Sequence, residues 1–191
     1  MGYDTKNVFY LDASTDISAA LGTVAGSVSG VTMDLSAYID PVATGRNTGV
    51  GLAIYRAHFG LGDTNGNGPI GNGETGAGRM GLVVGDLGLT SGYSVIAAPD
   101  TFTLDNSNQN LVASKDFFAP KYSSYGAVQE FDNIFPSDEV PYIAVRDTLN
   151  LVWGAGDKVI AGVMHMSVRI ECAQIKLTGA VLNQLLRTQT V

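Results

Sequence analysis

The chain has a single cysteine, Cys172, among its 191 residues. One cysteine cannot form an intrachain disulfide, so a disulfide-stapled scaffold is excluded. In the alternating pattern around it, Cys172 falls on the same apolar face as Val168 and Ile170. Reactive cysteines need an exposed, electropositive setting, so we expect a buried and unreactive thiol.

Charge is also scarce, since charged residues make up 15% of the chain and hydrophobic residues 45%. An average soluble domain has about 25% charged residues, which cover its surface. The deficit predicts that part of the surface is buried against another molecule. No apolar run approaches the roughly 18 residues of a membrane-spanning helix, so contacts between subunits are the favoured explanation.

Positive charge is the scarcer sign. The chain has 11 Lys and Arg residues against 18 Asp and Glu, a net charge of −7, with no basic cluster and no basic arm in residues 1–6. Packaging nucleic acid requires cationic side chains that neutralise phosphates, so direct nucleic-acid binding is not expected. The first residues also lack a charged segment followed by an apolar one, which indicates synthesis in the cytoplasm without secretory export.

Glycine is abundant instead, with 24 residues scattered without a fixed period. This is about twice the average frequency, and between the glycines lie Val, Ile, Thr and Tyr. Such a pattern is typical of short strands joined by tight turns. No repeat or linker divides the sequence. We therefore predict that residues 1–191 form one all-β domain, an antiparallel β-sandwich or jelly roll of about eight strands.

The strongest strand pattern lies in residues 158–177. Its apolar face consists of Ile160, Met164, Met166, Val168, Ile170 and Cys172. The apolar side then changes at Ala173, which predicts a β-bulge or bend near that residue. Residues 143–153 alternate in the same way. Because only residues 154–157 separate the two runs, we predict that they form an antiparallel hairpin.

The remaining elements are weaker. Further strands are predicted at residues 7–11, 23–33, 49–59, 80–84, 93–97 and 125–131. A short C-terminal helix is predicted at Gly179–Thr188, with Thr178 as its N-cap, and a single helical turn at residues 34–38. Residues 63–78 and 105–124 are predicted to be long loops that make contacts or carry function.

Residues 63–74 match the twelve-residue calcium loop of EF-hands, with Gly68 at the sixth position. The candidate ligands are the side chains of Asp63, Asn65 and Asn67, the backbone carbonyl of Pro69 and the bidentate carboxylate of Glu74. The glycine-rich flanks exclude the paired helices of an EF-hand, and two charged ligands predict weak affinity. The alternative is a loop between strands that meets the pattern through its Gly and Asn content alone.

No catalytic motif survives inspection, since HExxH, GxSxG and P-loop patterns are absent. The GxGxxG spacing at residues 71–76 lacks the following helix that a dinucleotide site needs. His58 and His165 each lie in a predicted strand, and His165 is assigned to its polar face. We interpret three acidic residues close to prolines as loop carboxylates: Asp132, Asp138 and Glu139. We therefore predict that the chain is not an enzyme.

Together these features resemble the single jelly-roll capsid proteins of icosahedral viruses. The resemblance is architectural and covers most of the chain: a small β domain, low surface charge, long loops and a final long hairpin in residues 143–177. It implies a virion protein whose copies, with or without other capsid proteins, self-assemble into an icosahedral shell.

The basic arm of many genome-wrapping capsid proteins is missing here, and the sequence pI is 4.6. The resemblance therefore shifts toward viruses with a membrane beneath the shell. In that setting the chain would contact the internal viral membrane and need not touch the genome.

A second hypothesis, from another class, is a calcium-stabilised β-sandwich module that binds carbohydrate or protein through residues 63–74. Two observations argue against this hypothesis. The first residues lack the pattern of a secretory signal peptide, and the only tryptophan, Trp153, lies within a predicted strand. A sugar-binding platform usually presents exposed aromatic faces. An enzyme whose site is assembled from distant residues is a third option, without a supporting motif.

Overall fold

The computed structural model describes residues 7–17, 28–40, 48–62, 76–87, 94–96, 104–119, 129–155 and 164–189. These residues form ten strands and one helix. In chain order they are β1 Phe9–Ile17, β2 Val28–Asp34, β3 Thr48–Gly62, β4 Gly76–Val84, β5 Ser94–Ile96, β6 Leu111–Ala119, β7 Gln129–Ile134, β8 Tyr142–Ala144, β9 Thr148–Ala155, β10 Met164–Thr178 and α1 Gly179–Thr188.

The strands form two antiparallel sheets. One has the order β1-β10-β3-β8, and the other has the order β5-β2-β9-β4-β6-β7. When β5 and β7 are set aside, the remaining eight strands have the order of a jelly roll, with β4 and β6 as consecutive strands of the same sheet. The predicted all-β sandwich with a short C-terminal helix is confirmed, with ten strands in the described residues where about eight were expected.

The core lies between the two sheets and is built around β10. This strand pairs with β1 on one side and with β3 on the other. Its inward side chains are almost fully buried, as the alternation predicted, and they face apolar side chains of the other sheet. The two facing sets are Met164, Met166, Val168, Ile170 and Cys172 from β10, and Met80, Leu82, Val84, Leu149, Leu151 and Trp153 from β4 and β9.

The predicted hairpin between residues 143–153 and 158–177 is wrong. The first run divides into β8 and β9, which lie in different sheets. β9 pairs with β2 and β4, whereas β10 pairs with β1 and β3. Both runs have one apolar face, and these faces pack against each other across the core. The strands therefore meet face to face and not edge to edge.

A register irregularity lies close to the predicted position. Between Glu171 and Cys172 the pairing of β10 with β3 shifts, and Tyr55 is the extra residue on β3. Beyond this point the apolar side chains of β10 lie on the outer face of the sheet. Ala173 packs there beside Tyr55, and Leu177 packs against Leu182 of α1. The apolar side chains at this end of β10 therefore lie on the outer face because α1 covers the sheet there.

The helix α1 has the predicted bounds. Thr178 stands at the N-cap position with an extended backbone, but its side chain makes no capping hydrogen bond. The other end is fixed by the buried side chain of Gln189. Its amide donates to the carbonyl of Ile143 at 2.6 Å and its oxygen accepts from the backbone N–H of Val145 at 3.1 Å. These bonds hold the end of the helix against the link between β8 and β9.

The predicted loop at residues 105–124 is wrong in its middle, because Leu111–Ala119 is strand β6. Lys115 and Asp116 interrupt the apolar alternation there and hide the strand in the sequence. Each of the six other predicted strands overlaps an observed strand. The single turn at residues 34–38 is confirmed, since the N–H of Ile39 donates to the carbonyl of Leu35 at 3.1 Å.

Gly78 makes room for the indole ring of Trp153. A β-carbon on Gly78 would lie 2.1 Å from Cζ2 of Trp153, whose side chain is 2% exposed. We expect Gly78→Ala to lower the free energy of unfolding by about 1–3 kcal/mol, because the ring has no free space to move into. Urea unfolding followed by tryptophan fluorescence measures this loss.

Gly60→Ala is the matched control. Its β-carbon would meet only Oγ of Ser167, the end of a flexible side chain, at 2.8 Å. We expect a change below about 1 kcal/mol. Equal losses in the two variants would contradict the packing described for Trp153.

Candidate functional site

The candidate calcium loop lies outside the described residues. Its ligands Asp63, Asn65, Asn67, Pro69 and Glu74 all fall in the segment that separates β3 from β4. The calcium site therefore stays a prediction. Among the residues that are described, no three His, Cys, Asp or Glu side chains lie close enough to hold a metal ion.

The glycine pattern at residues 71–76 runs directly into a strand. Gly76 is the first residue of β4. A dinucleotide site needs a helix N-terminus at this point to bind the pyrophosphate. The structure therefore agrees with the rejection of a dinucleotide site.

Both histidines lie on the outer face of the four-stranded sheet and contact carboxylates. Nδ1 of His165 is 2.7 Å from Oδ1 of Asp16, its direct cross-strand partner. Nε2 of His58 is 3.2 Å from Oε1 of Glu171. The prediction that His165 lies on the polar face of its strand is confirmed. These contacts tie β10 to its two neighbours in the sheet.

Cys172 is fully buried in the core, as expected from its position. Its Sγ lies 3.6 Å from the carbonyl oxygen of Phe9, to which the thiol donates. Burial raises the pKa of this thiol to about 12, so it is protonated at neutral pH. The thiolate is the reactive form of cysteine, and Cys172 is therefore unreactive in the folded chain.

An open groove lies between the two sheets, where β3 faces β6 and β7. It has a volume of about 640 Å³. Its lining includes Arg56, His58 and Phe59 of β3, Lys115 of β6, Asp132 of β7, and residues 135–139. The groove thus brings together the three carboxylates interpreted as loop residues, Asp132, Asp138 and Glu139. For Asp132 that interpretation is wrong, because it belongs to strand β7.

An aromatic contact joins the two sides of the groove. The rings of Phe59 and Phe135 meet edge to face, with centroids 5.8 Å apart. Near this contact, Nη2 of Arg56 lies 2.9 Å from Oδ2 of Asp138, which ties the segment after β7 to β3. Sequence reasoning missed this groove, because its residues come from segments that only the fold brings together.

Lys115 carries a charge that its neighbours neutralise. Its Nζ lies 2.9 Å from Glu130 and 3.3 Å from Asp132, and its side chain is 17% exposed. Burial acts to lower the pKa of Lys115, but the hydrogen bond that Lys115 donates to Glu130 and the two negative charges outweigh it and raise the pKa. Lys115 therefore remains an ammonium ion bound to acids. It cannot act as a base at neutral pH.

The outer face of the six-stranded sheet has the best-formed ion pair. Nε and Nη2 of Arg79 donate to the two carboxylate oxygens of Asp116 at 2.6 and 3.0 Å, and Nη1 donates to the carbonyl of Leu104 at 2.9 Å. A bidentate pair of this kind fixes geometry as well as charge. It locks β4 to β6 and holds the segment before β6 on the sheet.

An exposed aromatic pair lies on the same sheet. Phe118 of β6 and Phe131 of β7 meet edge to face, with ring centroids 5.7 Å apart. They are 42% and 52% exposed. Exposed apolar side chains that cluster next to charged groups are typical of surfaces that contact other proteins. This pair is therefore a candidate contact surface.

Comparison with known proteins assigns no family: no family model matches the chain, and no curated protein matches its sequence. Among the described residues, no helix has the length and apolar character needed to cross a membrane. The function is therefore argued from the fold, the groove and the exposed surfaces.

The ion pair of Arg79 with Asp116 predicts a pH-dependent contribution to stability. Burial acts to raise the pKa of Asp116, but the hydrogen bonds from Arg79 and Asn133 outweigh it, so the pKa lies below its usual value. We expect Asp116→Asn to lower the free energy of unfolding by about 1–3 kcal/mol at pH 7. Because the folded pKa is depressed, this difference is complete above about pH 4 and is lost as the pH falls through the folded pKa.

Urea unfolding at a series of pH values measures the difference between the two proteins. The control is Asp147→Asn, at an exposed position, which should change stability by less than about 0.5 kcal/mol. A loss for Asp116→Asn that does not depend on pH would contradict the electrostatic explanation.

Proposed function

We propose that this chain is a structural virion protein, a capsid subunit whose copies self-assemble into an icosahedral shell. The observation that carries the proposal is the jelly-roll strand order in a chain with little charge and several separate exposed apolar positions. Jelly rolls also occur in lectins and in cupins. The remaining argument therefore concerns which of these classes fits the interior and the surface of this chain.

The interior favours a structural role. A cupin-type enzyme places metal-binding or catalytic side chains inside its sandwich. Here the described interior is packed with apolar side chains, among them Met80, Trp153 and Ile170. Both histidines lie on the outer face, each held by a carboxylate. An enzymatic function has no support from these positions.

A binding module is the second candidate, and the groove is the observation that favours it. Its size suits a small ligand, and Phe59 and Phe135 provide apolar contact. However, Arg56 and Lys115 are already paired with acids, so a ligand would have to displace those partners. Trp153 is buried and cannot serve as a sugar-binding platform. We therefore place this function second, as a β-sandwich stabilised by calcium in residues 63–74.

The exposed apolar side chains support assembly with other subunits. They are spread over several parts of the chain: Tyr10, Phe118, Phe131, Val140 and Val181. A closed shell requires each subunit to make more than one kind of contact, so separate apolar surfaces fit this role better than one patch. The proposed partners are copies of the same chain and other capsid proteins. In keeping with the net charge of −7, the chain would face an internal viral membrane and not the genome.

The native mass of the purified protein tests the proposal. We expect light scattering after size-exclusion chromatography to give a mass well above the 20.0 kDa of one chain, growing with concentration toward closed particles visible by electron microscopy. The measurement is made with calcium and with a chelator. Assembly in both conditions separates a structural subunit from a calcium-dependent module.

The opposite result favours the second candidate. A 20.0 kDa monomer at every concentration, whose melting temperature falls in chelator, would contradict the capsid proposal. That result would assign residues 63–74 to calcium binding, because an ion bound only by the folded state stabilises it by mass action.

A further inference from the structure

Strand β1 is a long edge strand with one side unpaired in the described part of the chain. It pairs with β10 through all nine of its residues and without a register shift. On its other side no strand is present among the described residues. An unpaired edge of this kind offers a row of backbone donors and acceptors to a further strand.

The edge of β1 also lacks the features that usually block strand addition. Proteins protect edges with proline, lysine, bulges, short strands or inward-pointing charges. β1 contains no proline, glycine or lysine, and its two acids, Asp12 and Asp16, are exposed on the outer face. By contrast, the edge strand β7 has Glu130 and Asp132, whose carboxylates contact Lys115 of β6 on the side of the groove. The edge strands β5 and β8 are three residues long.

The inner face of β1 is incompletely covered. Phe9, Leu11 and Ala13 pack against the core but remain half-buried. Their cross-strand neighbours on β10 are Cys172, Ile170 and Val168, which are at most 1% exposed. As far as the described residues go, the sandwich is therefore open along β1. A strand added beside it would cover this apolar margin.

We propose that β1 pairs antiparallel with β1 of a second copy of this chain, about a two-fold axis at Ala13. The two four-stranded sheets then form one sheet of eight strands. This inference rests on the proposed self-assembly and names one of its contacts. In this register every residue of β1 pairs, Phe9 faces Ile17, and Leu11 faces Thr15 of the second copy.

The acidic residues select this register. With Ala13 opposite Ala13, Asp12 faces Ser14 of the second copy and Asp16 faces Tyr10. A shift by two residues places Asp12 opposite either Asp12 or Asp16 of the second copy, and directly opposed like charges destabilise a sheet. A shift by one residue would place outward side chains opposite inward ones.

The neighbouring strand places a basic residue type beside each of these acids. Asp12 is the direct cross-strand partner of Arg169 on β10. Asp16 is bonded to His165 on the same strand. In the proposed register, no acid of one β1 strand lies directly opposite an acid of the other. Although the chain has a net charge of −7, two β1 strands can meet with little repulsion.

Disulfide trapping tests the two-fold axis in the full-length protein. In Ala13→Cys the new thiols of two copies face each other, so mild oxidation should produce a covalent dimer. Thr15→Cys is the matched control on the same strand and face. Its two thiols would lie four residues apart along the strands, about 13 Å, which is too far for a disulfide. The native Cys172 is buried and adds no background.

Charge changes at Ser14 test the register, because opposite charges at this position should have opposite effects on the affinity of the dimer. Ser14 is exposed and faces Asp12 of the second copy in the proposed pairing. Ser14→Lys should tighten the dimer and Ser14→Asp should weaken it, each by about two- to thirtyfold in the dissociation constant, because two symmetric pairs change. Gln184→Lys and Gln184→Glu on α1 are controls for net charge, and melting temperatures check that each variant folds.

The outcomes separate this contact from the proposed function. Selective cross-linking of Ala13→Cys with opposite effects at Ser14 supports the β1 pairing. An assembling protein in which Ala13→Cys and Thr15→Cys behave alike, or in which neither Ser14 variant changes assembly, overturns the pairing and leaves the capsid proposal standing. A wild-type protein that stays monomeric at every concentration overturns both.

Discussion

The antiparallel pairing of β3 with β10 sets the position of every other element in the four-stranded sheet. Both strands are fifteen residues long and pair along almost their whole length. β10 then carries β1 on its other edge, β3 carries β8, and α1 follows β10 directly. The extra residue Tyr55 reverses the alternation of β3, so that Ile54 before it and Ala57 after it both face the core. A change that weakens this pair would loosen the whole sheet.

Several charged side chains in the described part of the chain join neighbouring strands. Arg79 joins β4 to β6, Lys115 joins β6 to β7, and His165 joins β10 to β1. The more exposed contact of His165 with Asp16 contributes less than about 1 kcal/mol, so its main effect is to favour one register over others. Because these charges are paired within the chain, apolar side chains such as Phe131 remain exposed at the surface. This arrangement suits a protein whose surface is completed by other subunits.

Local patterns predicted the fold better than they predicted its connections. The alternation of β10 and the apolar stripe of α1 are properties of neighbouring residues, and both elements appear as expected. The hairpin prediction failed because a short glycine-rich link does not reveal whether two strands lie side by side or face each other. Strand β6 was not predicted because Lys115 and Asp116 interrupt its apolar pattern. The sheet accommodates these two charges through ion pairs with Glu130 and Arg79 of the neighbouring strands. The groove forms because the fold brings Arg56, Lys115 and Asp132 close together. Their positions in the sequence do not indicate that they are neighbours in space.

The exposed edges limit how copies of this chain can join. An unblocked edge strand that added to a different surface of the next copy would repeat without end and give a fibre. A two-fold contact through β1 uses the same edge on both copies, so strand addition stops at two. The other long edge strand, β7, has Glu130 and Asp132, and direct pairing of two β7 strands about Phe131 would place these acids opposite each other. The proposed shell would therefore need a further contact besides the pairing of β1 strands. The aromatic pair Phe118 and Phe131, on the outer face of the other sheet, is where this chain offers one.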